Sequence, residues 1–113
     1  MTPYIYQRGE TVSLALDALA GDPLTVGAIN AKMKAVAPGR TGVSAAAPVA
    51  AVFAVSPRAA TGDIPAGWTL TIDAATSVSL AAGNYLADAR LEIAGGVVIT
   101  DAVAIRIVES VSA

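Results

Sequence analysis

The sequence predicts an all-β fold: a single antiparallel β-sandwich over residues 1–113, immunoglobulin-like in outline, with about seven strands. Two observations lead to this prediction. Short segments alternate apolar with polar residues, and turns rich in glycine and proline separate them at intervals of roughly 8 to 12 residues. At 113 residues the chain is long enough for one core and too short for two.

Four segments carry the clearest alternation, over residues 11–17, 68–73, 85–93 and 103–109. In the third, the charged residues Asp88, Arg90 and Glu92 share one face, which indicates a sheet surface exposed to water. The apolar side chains of the last three segments share the opposite faces. The predicted core positions there are Trp68, Leu70, Ile72, Tyr85, Leu91, Ile93, Ile105 and Ile107.

Two further segments carry weaker signals. Residues 49–55 form a nearly unbroken apolar run that ends at Ser56-Pro57, which favours a strand buried on both faces. Residues 27–36 alternate like a strand, but Ile29, Met33 and Val36 also follow helical spacing. A strand is favoured for this second segment, and a helix stays open as the alternative.

Glycines and prolines mark the connections. Gly83 precedes a strand, and Gly95-Gly96 predicts a two-residue hairpin turn, because such turns need positive φ. A short helical turn is expected near residues 74–80. The connections at residues 37–48 and 57–67 are long enough to act as contact loops.

The composition excludes several classes of protein. The formal net charge is −2 and the seven basic residues are scattered, so no phosphate-binding stripe exists and no nucleic-acid partner is expected. The N-terminal residues do not match a signal peptide, and Pro48 interrupts the most apolar run. We therefore expect a soluble chain made in the cytoplasm, with no membrane partner.

The sequence also argues against an enzyme. Without histidine or cysteine, Ser-His-Asp and Cys-His arrangements cannot form and the commonest zinc ligands are missing. Asp63, Asp73, Asp88 and Asp101 are candidates for a carboxylate pair or a calcium site, but we interpret them as turn and strand-end residues. The prediction is a non-enzymatic protein with no cofactor, no metal and no small-molecule substrate.

The aromatic residues suggest where partners bind. Trp68 either fills the core, which we favour, or stacks on a sugar ring in a carbohydrate-binding module. Tyr85 begins a strand, where its hydroxyl can tie a loop to the sandwich edge. The alternating tyrosines near the N-terminus form either an edge strand that pairs with another subunit or a strand packed on the domain's own sheet. The candidate partner-contact residues are Tyr4, Tyr6, Arg8, Arg40 and Arg58.

The expected core is thin. Aromatic residues make up 4% of the chain, so valine, isoleucine, leucine and alanine have to build the core. Alanine buries little apolar surface, at about 25 cal/mol per Å². We therefore expect modest stability, to which neighbouring subunits contribute.

Several motifs together resemble one group of proteins. They are Arg8-Gly9-Glu10-Thr11, Leu80, Gly83, Tyr85, Asp88, Arg90, Gly95-Gly96 and the closing segment 105–111. This pattern resembles small β-sandwich structural proteins of tailed bacteriophages, such as the N-terminal domain of baseplate upper proteins. The resemblance implies a virion subunit of the tail tip, baseplate or fibre attachment that contacts other virion proteins and copies of itself. A capsid decoration or head–tail joining protein is the alternative within the virion.

Overall fold

The computed structural model describes residues 3–17, 26–37, 39–40, 42–44, 46–93 and 95–111. These residues form nine strands and one short helix. The strands are β1 (Tyr4–Gln7), β2 (Val12–Asp17), β3 (Ala28–Ala35), β4 (Ala51–Val52), β5 (Ala54–Arg58), β6 (Gly67–Ile72), β7 (Gly83–Ile93), β8 (Gly96–Ile99) and β9 (Val103–Val108). Helix α1 (Ala74–Ser77) lies between β6 and β7.

The strands form two sheets. The larger has the order β1-β9-β7-β3-β4, with β8 also paired to β7, and the smaller has the order β2-β6-β5. The order of strands within each sheet is that of an immunoglobulin-like sandwich. In the larger sheet, β3, β7 and β9 take the places of strands C, F and G. In the smaller sheet, β2, β6 and β5 take the places of strands B, E and D. The predicted all-β sandwich is confirmed. It differs in having nine described strands rather than about seven, and in the parallel pairing of β1 with β9.

The core lies between the inner faces of the two sheets. Six of the predicted core residues are buried: Trp68, Leu70, Ile72, Tyr85, Ile105 and Ile107. Val12, Met33, Phe53, Leu80 and four alanines complete the buried hydrophobic cluster of the described residues. Leu91 is half-buried, and the prediction of an inward Ile93 was wrong, since this side chain is 41% exposed. The reason is that Ile93 lies past the end of the pairing with β3 and opposite Gly96, which has no side chain to cover it.

The apolar run at residues 49–55 crosses between the sheets. β4 pairs with β3 in the larger sheet, and β5 pairs with β6 in the smaller one. At the crossing, the Phe53 side chain is buried and its N–H donates to the Ala31 carbonyl at 2.9 Å. Val49 and Val52 are exposed, so the prediction of a strand buried on both faces was wrong. The ambiguous segment 27–36 contains a strand, β3, and no helix.

β5 also continues past the predicted stop at Ser56-Pro57, as far as Arg58. Among the described residues β5 pairs only with β6, so it is an edge strand. A proline at an edge removes no hydrogen bond from the ladder when its nitrogen faces outward. The position in the sheet, which the local sequence does not determine, explains why the strand tolerates Pro57.

Helix α1 confirms the predicted helical turn. The Asp73 carboxylate caps it by accepting a hydrogen bond from the Thr76 N–H at 2.8 Å. Hydrogen bonding to the side chain of Thr76, and then to its backbone N–H, lowers the pKa of Asp73 below its ordinary value. The fully buried Ser77 accepts a hydrogen bond from the Gly9 N–H through its Oγ at 2.9 Å. The helix therefore ties the β1–β2 connection to the β6–β7 connection.

The hairpin between β7 and β8 is confirmed, with a correction to its turn. Gly95 has a φ of 90°, as a tight turn requires, but Gly96 is already a strand residue opposite Ile93. Gly83 is likewise the first residue of β7, opposite Ile107, and its φ of 153° favours glycine.

Candidate interaction surface

One edge of β7 is shared by two strands. Its residues 83–87 pair with β9, whereas its residues 90–93 pair with β8. We call residues 90–93 of β7 together with β8 the hairpin arm. The arm continues the larger sheet beyond the part of β7 that carries the core.

A bulge separates the hairpin arm from β9. Between the pairs Arg90–Ile99 and Ala87–Val103, β7 has two residues and the opposing chain has three. Thr100 fixes the bulge, because its N–H donates to the Ala89 carbonyl at 2.9 Å and its Oγ1 accepts from the Ala89 N–H at 3.0 Å. Bulges bend a strand and increase its twist locally. The bulge thus marks the point at which the arm departs from the sandwich.

The hairpin arm exposes apolar side chains. Val97, Val98 and Ile99 are 48%, 47% and 61% exposed, and Ile93 lies beside them. Successive side chains of a strand point to opposite faces, so three consecutive exposed apolar residues mean that neither face of β8 is covered. Contiguous exposed apolar surface of this kind is typical of a protein–protein contact.

No strand of the described residues pairs with the outer edge of β8. The Gly27 N–H donates to the Glu92 carbonyl at 2.8 Å, so the backbone groups of Glu92 point toward β3. Because these directions alternate along a strand, Leu91 and Ile93 point toward β8 and bond to Val98 and Gly96. The N–H and C=O groups of Val97 and Ile99 therefore point to the open edge.

Each of the other edge strands of the described residues carries or adjoins a protective feature. β4 has two residues, β5 contains Pro57 and Arg58, and Pro3 and Arg8 flank β1. On β2, the Tyr6 hydroxyl donates to the Ser13 carbonyl at 2.7 Å. Short length, proline, charge and coverage are the usual means of preventing edge-to-edge pairing. β8, with the sequence Gly-Val-Val-Ile, has no charge and no proline.

A groove of about 580 Å³ lies beside the hairpin arm on the outer face of the larger sheet. Ile99 of the arm lines one part of it, and Val43 and Ser44 line another. Val43 and Ser44 belong to the predicted contact loop 37–48, so the structure brings this loop close to the arm. The charged lining residues are Lys32, Lys34, Asp88 and Arg90.

Three of the five predicted partner-contact residues bind their own chain. The Arg8 Nε donates to the Val78 carbonyl at 2.9 Å and its Nη1 lies 3.3 Å from the Glu109 carboxylate. The Arg58 Nη2 bonds to the Asp17 carboxylate and to the Pro65 carbonyl. These arginines, like Tyr6, hold separate segments of the sandwich together.

The other two predicted contact residues, Tyr4 and Arg40, are exposed. Of the two alternatives for the N-terminal tyrosines, the structure has β1 packed on the domain's own sheet through β9. The second predicted contact loop, 57–67, begins inside β5 and contains a small turn closed by bridging of Thr61 and Ile64. Neither region adjoins the hairpin arm in the sequence.

Val97, Val98 and Ile99 were not among the contact residues predicted from the sequence. The signal was present, since three consecutive apolar residues in a strand cannot all point into one core. The signal was missed because the neighbouring segment 85–93 alternates so regularly that the whole hairpin was interpreted as part of the sandwich.

The residues considered for a metal, carboxylate or sugar-binding role have the following surroundings. Within the described residues, no three acidic side chains come close enough to hold a metal ion. Asp73 caps a helix, and Asp88 lies in the groove beside lysines. Trp68 is 8% exposed, so its ring face is not open to a sugar.

Tyr85 has the structural role predicted for it. Its hydroxyl donates to the Ala81 carbonyl at 2.5 Å, which ties the connection after α1 to the start of β7. Burial raises the pKa of the Tyr85 phenol above its ordinary value. The contact is equivalent to the tyrosine corner of immunoglobulin-like sandwiches.

No protein-family model matches the chain, nor does any curated protein or solved structure. Within the part of the chain described above, no helix has the length and apolar character needed to cross a membrane. The sandwich and its hairpin arm are therefore the observations from which a function has to be inferred.

Proposed function

We propose that this chain is a non-enzymatic structural subunit of a tailed-phage or prophage particle, where it acts through contacts with neighbouring subunits. The observation that carries the contact role is β8 of the hairpin arm, an exposed, uncharged strand whose outer edge is paired with no other strand of the described residues. The placement in a virion, at the tail tip, baseplate or fibre attachment, is supported by the motif resemblance from Arg8 to Val111.

The geometry fits a protein that is held in place by its neighbours. The buried cluster contains four alanines, so much of the core contributes little apolar area. Contacts that bind the folded chain and not the unfolded one add to its stability. An assembly role would therefore supply both a use for the arm and additional stability for the thin core.

A particle-incorporation experiment tests this function. Particles are purified on a density gradient from cells that carry the gene, and mass spectrometry measures the chain in the particle fraction. Wild-type protein and Val52→Lys, a control at another exposed strand valine, should be found with the particles. Val98→Lys, in the hairpin arm, should be lost from them. If wild-type chain stays entirely at the top of the gradient, the virion role is wrong.

A further inference from the structure

We propose that the partner of β8 is β8 of a second copy of this chain, paired antiparallel about a two-fold axis that passes beside Val98. The larger sheets of two subunits would then form one continuous sheet. This inference names a partner for the assembly role proposed above and rests on it.

The backbone argument fixes the register. Only Val97 and Ile99 of β8 direct their N–H and C=O groups to the open edge, as the ladder with β7 requires. With the axis beside Val98, Val97 lies opposite Ile99 of the partner subunit, and Ile99 lies opposite Val97 of the partner subunit. This register pairs every open N–H and C=O of both β8 strands, so neither strand keeps an unpaired edge.

The side chains are compatible with this register. On one face Val97 meets Ile99 of the partner subunit, and on the other face the two Val98 side chains meet each other. Apolar and β-branched cross-strand pairs stabilise sheets, whereas like charges directly opposite each other destabilise them. Because β8 carries no charge, the self-pairing brings no such repulsion.

The charges beside β8 also favour a second copy. On β7, Glu92 is opposite Val97 and Arg90 is opposite Ile99. Across the two-fold axis, four side chains therefore form a row on one face of the continuous sheet. The row begins at Glu92, continues through Val97 and Ile99 of the partner subunit, and ends at Arg90 of the partner subunit. The flanking charges in each row are opposite in sign, so a second copy brings no like charges to the two ends of a row. A two-fold contact is also closed, since each subunit uses the same strand.

A charge-swap experiment tests the pairing. Size exclusion with light scattering should give wild-type protein twice the 11.2 kDa chain mass, falling to the monomer mass on dilution. Val98→Lys and Val98→Glu should each be monomeric, because the axis places two like charges opposite each other. An equimolar mixture of the two should recover the dimer. Val52→Lys should dimerise like wild type.

A second variant tests the backbone contribution. Val97→Pro removes an N–H that points to the open edge and leaves the bonds from Val98 and Gly96 to β7 in place. We expect its dimer dissociation constant to rise at least about tenfold. Circular dichroism of the diluted monomers should show the same fold for every variant.

Three results would overturn the inference: a wild-type monomer at all concentrations, a dimer that Val98→Lys leaves intact, or open-ended oligomers. A monomeric chain that is still found in particles would contradict the second-copy contact and leave the assembly role standing. A dimer that is absent from particles would support the second-copy contact and contradict the assembly role.

Discussion

The two halves of β7 have the same sequence pattern and different surroundings. In residues 83–89, Tyr85, Ala87 and Ala89 point inward and are buried. In residues 90–93 the same alternation continues, yet Leu91 is half-buried and Ile93 is exposed. β3 pairs with both halves, and on the other edge β9 flanks the first half whereas β8 flanks the second. Alternation thus determines the faces of a strand, and the presence of a second sheet determines which face is buried.

The largest difference in stability is expected between alanine substitutions at two isoleucines, one opposite each half of β7. Ile105 lies opposite Tyr85 and is 1% exposed, and Ile99 lies opposite Arg90 in the hairpin arm. Ile105→Ala should lower the free energy of unfolding by about 2–5 kcal/mol, because it leaves a cavity in the core. Ile99→Ala should change it by less than about 0.5 kcal/mol. Urea unfolding at low protein concentration measures both.

Low concentration matters in that comparison because a dimer contact at β8 would add stability that depends on concentration. Equal losses for the two variants in the monomer would mean that the arm is packed as tightly as the core. That result would contradict the contrast between the two halves of β7.

The next largest difference in stability is expected between alanine substitutions at two glycines. A Cβ on Gly67, in the central strand of the smaller sheet, would lie 2.1 Å from the Leu16 carbonyl oxygen, whereas a Cβ on Gly96 in the hairpin arm would contact nothing within 4 Å. Gly67→Ala should therefore cost about 1–3 kcal/mol, as backbone atoms have to move. Gly96→Ala should leave the thermal midpoint nearly unchanged. A midpoint lowered equally by both would show that the arm has no free space.

These contrasts indicate how much of the fold the sequence predicts. The alternating segments identified four strands and most of the core, since apolar residues at every second position mark the face that points inward. Residues 49–55 were misinterpreted because a nearly unbroken apolar run has no polar face to mark its direction. The crossing at Phe53, where one chain segment serves both sheets, depends on the packing of the two sheets and is not encoded in a local pattern.

The candidate site was harder to predict than the fold. Arg8 and Arg58 were expected at partner contacts, but their hydrogen-bonding partners, Val78 and Asp17, are 70 and 41 residues away in sequence. Such long-range pairs cannot be inferred from spacing. The arm was missed for a different reason: the absence of protection on β8 is evident only once the other edge strands are known.

A smaller effect is expected from the Tyr85 hydroxyl. Tyr85→Phe should lower the free energy of unfolding by about 1 kcal/mol, because it removes the hydrogen bond to the Ala81 carbonyl. Tyr4→Phe, at a tyrosine that is 53% exposed, is the matched control and should have little effect.

Ionisation of the same hydroxyl should lower the free energy of unfolding at high pH. Burial raises the pKa of Tyr85 in the folded chain, so the neutral phenol stabilises the fold below the ordinary tyrosine pKa of about 10. That stability should be lost as the pH rises from there through the raised value. Unfolding curves measured across this range should show a steeper loss for wild type than for Tyr85→Phe, and parallel losses would contradict the assignment.

The smallest effect is expected in the hairpin arm itself, from its ion pair. The Arg90 Nη1 lies 2.9 Å from the Glu92 Oε1, and both side chains are about half exposed. Glu92→Gln should change the free energy of unfolding by less than about 0.5 kcal/mol, since water and salt screen such pairs. Asp17→Asn should cost more, because Arg58 is less exposed and its Nε is buried without a hydrogen-bond partner among the described residues. A larger loss for Glu92→Gln in dilute monomer would show that the arm is held by charge.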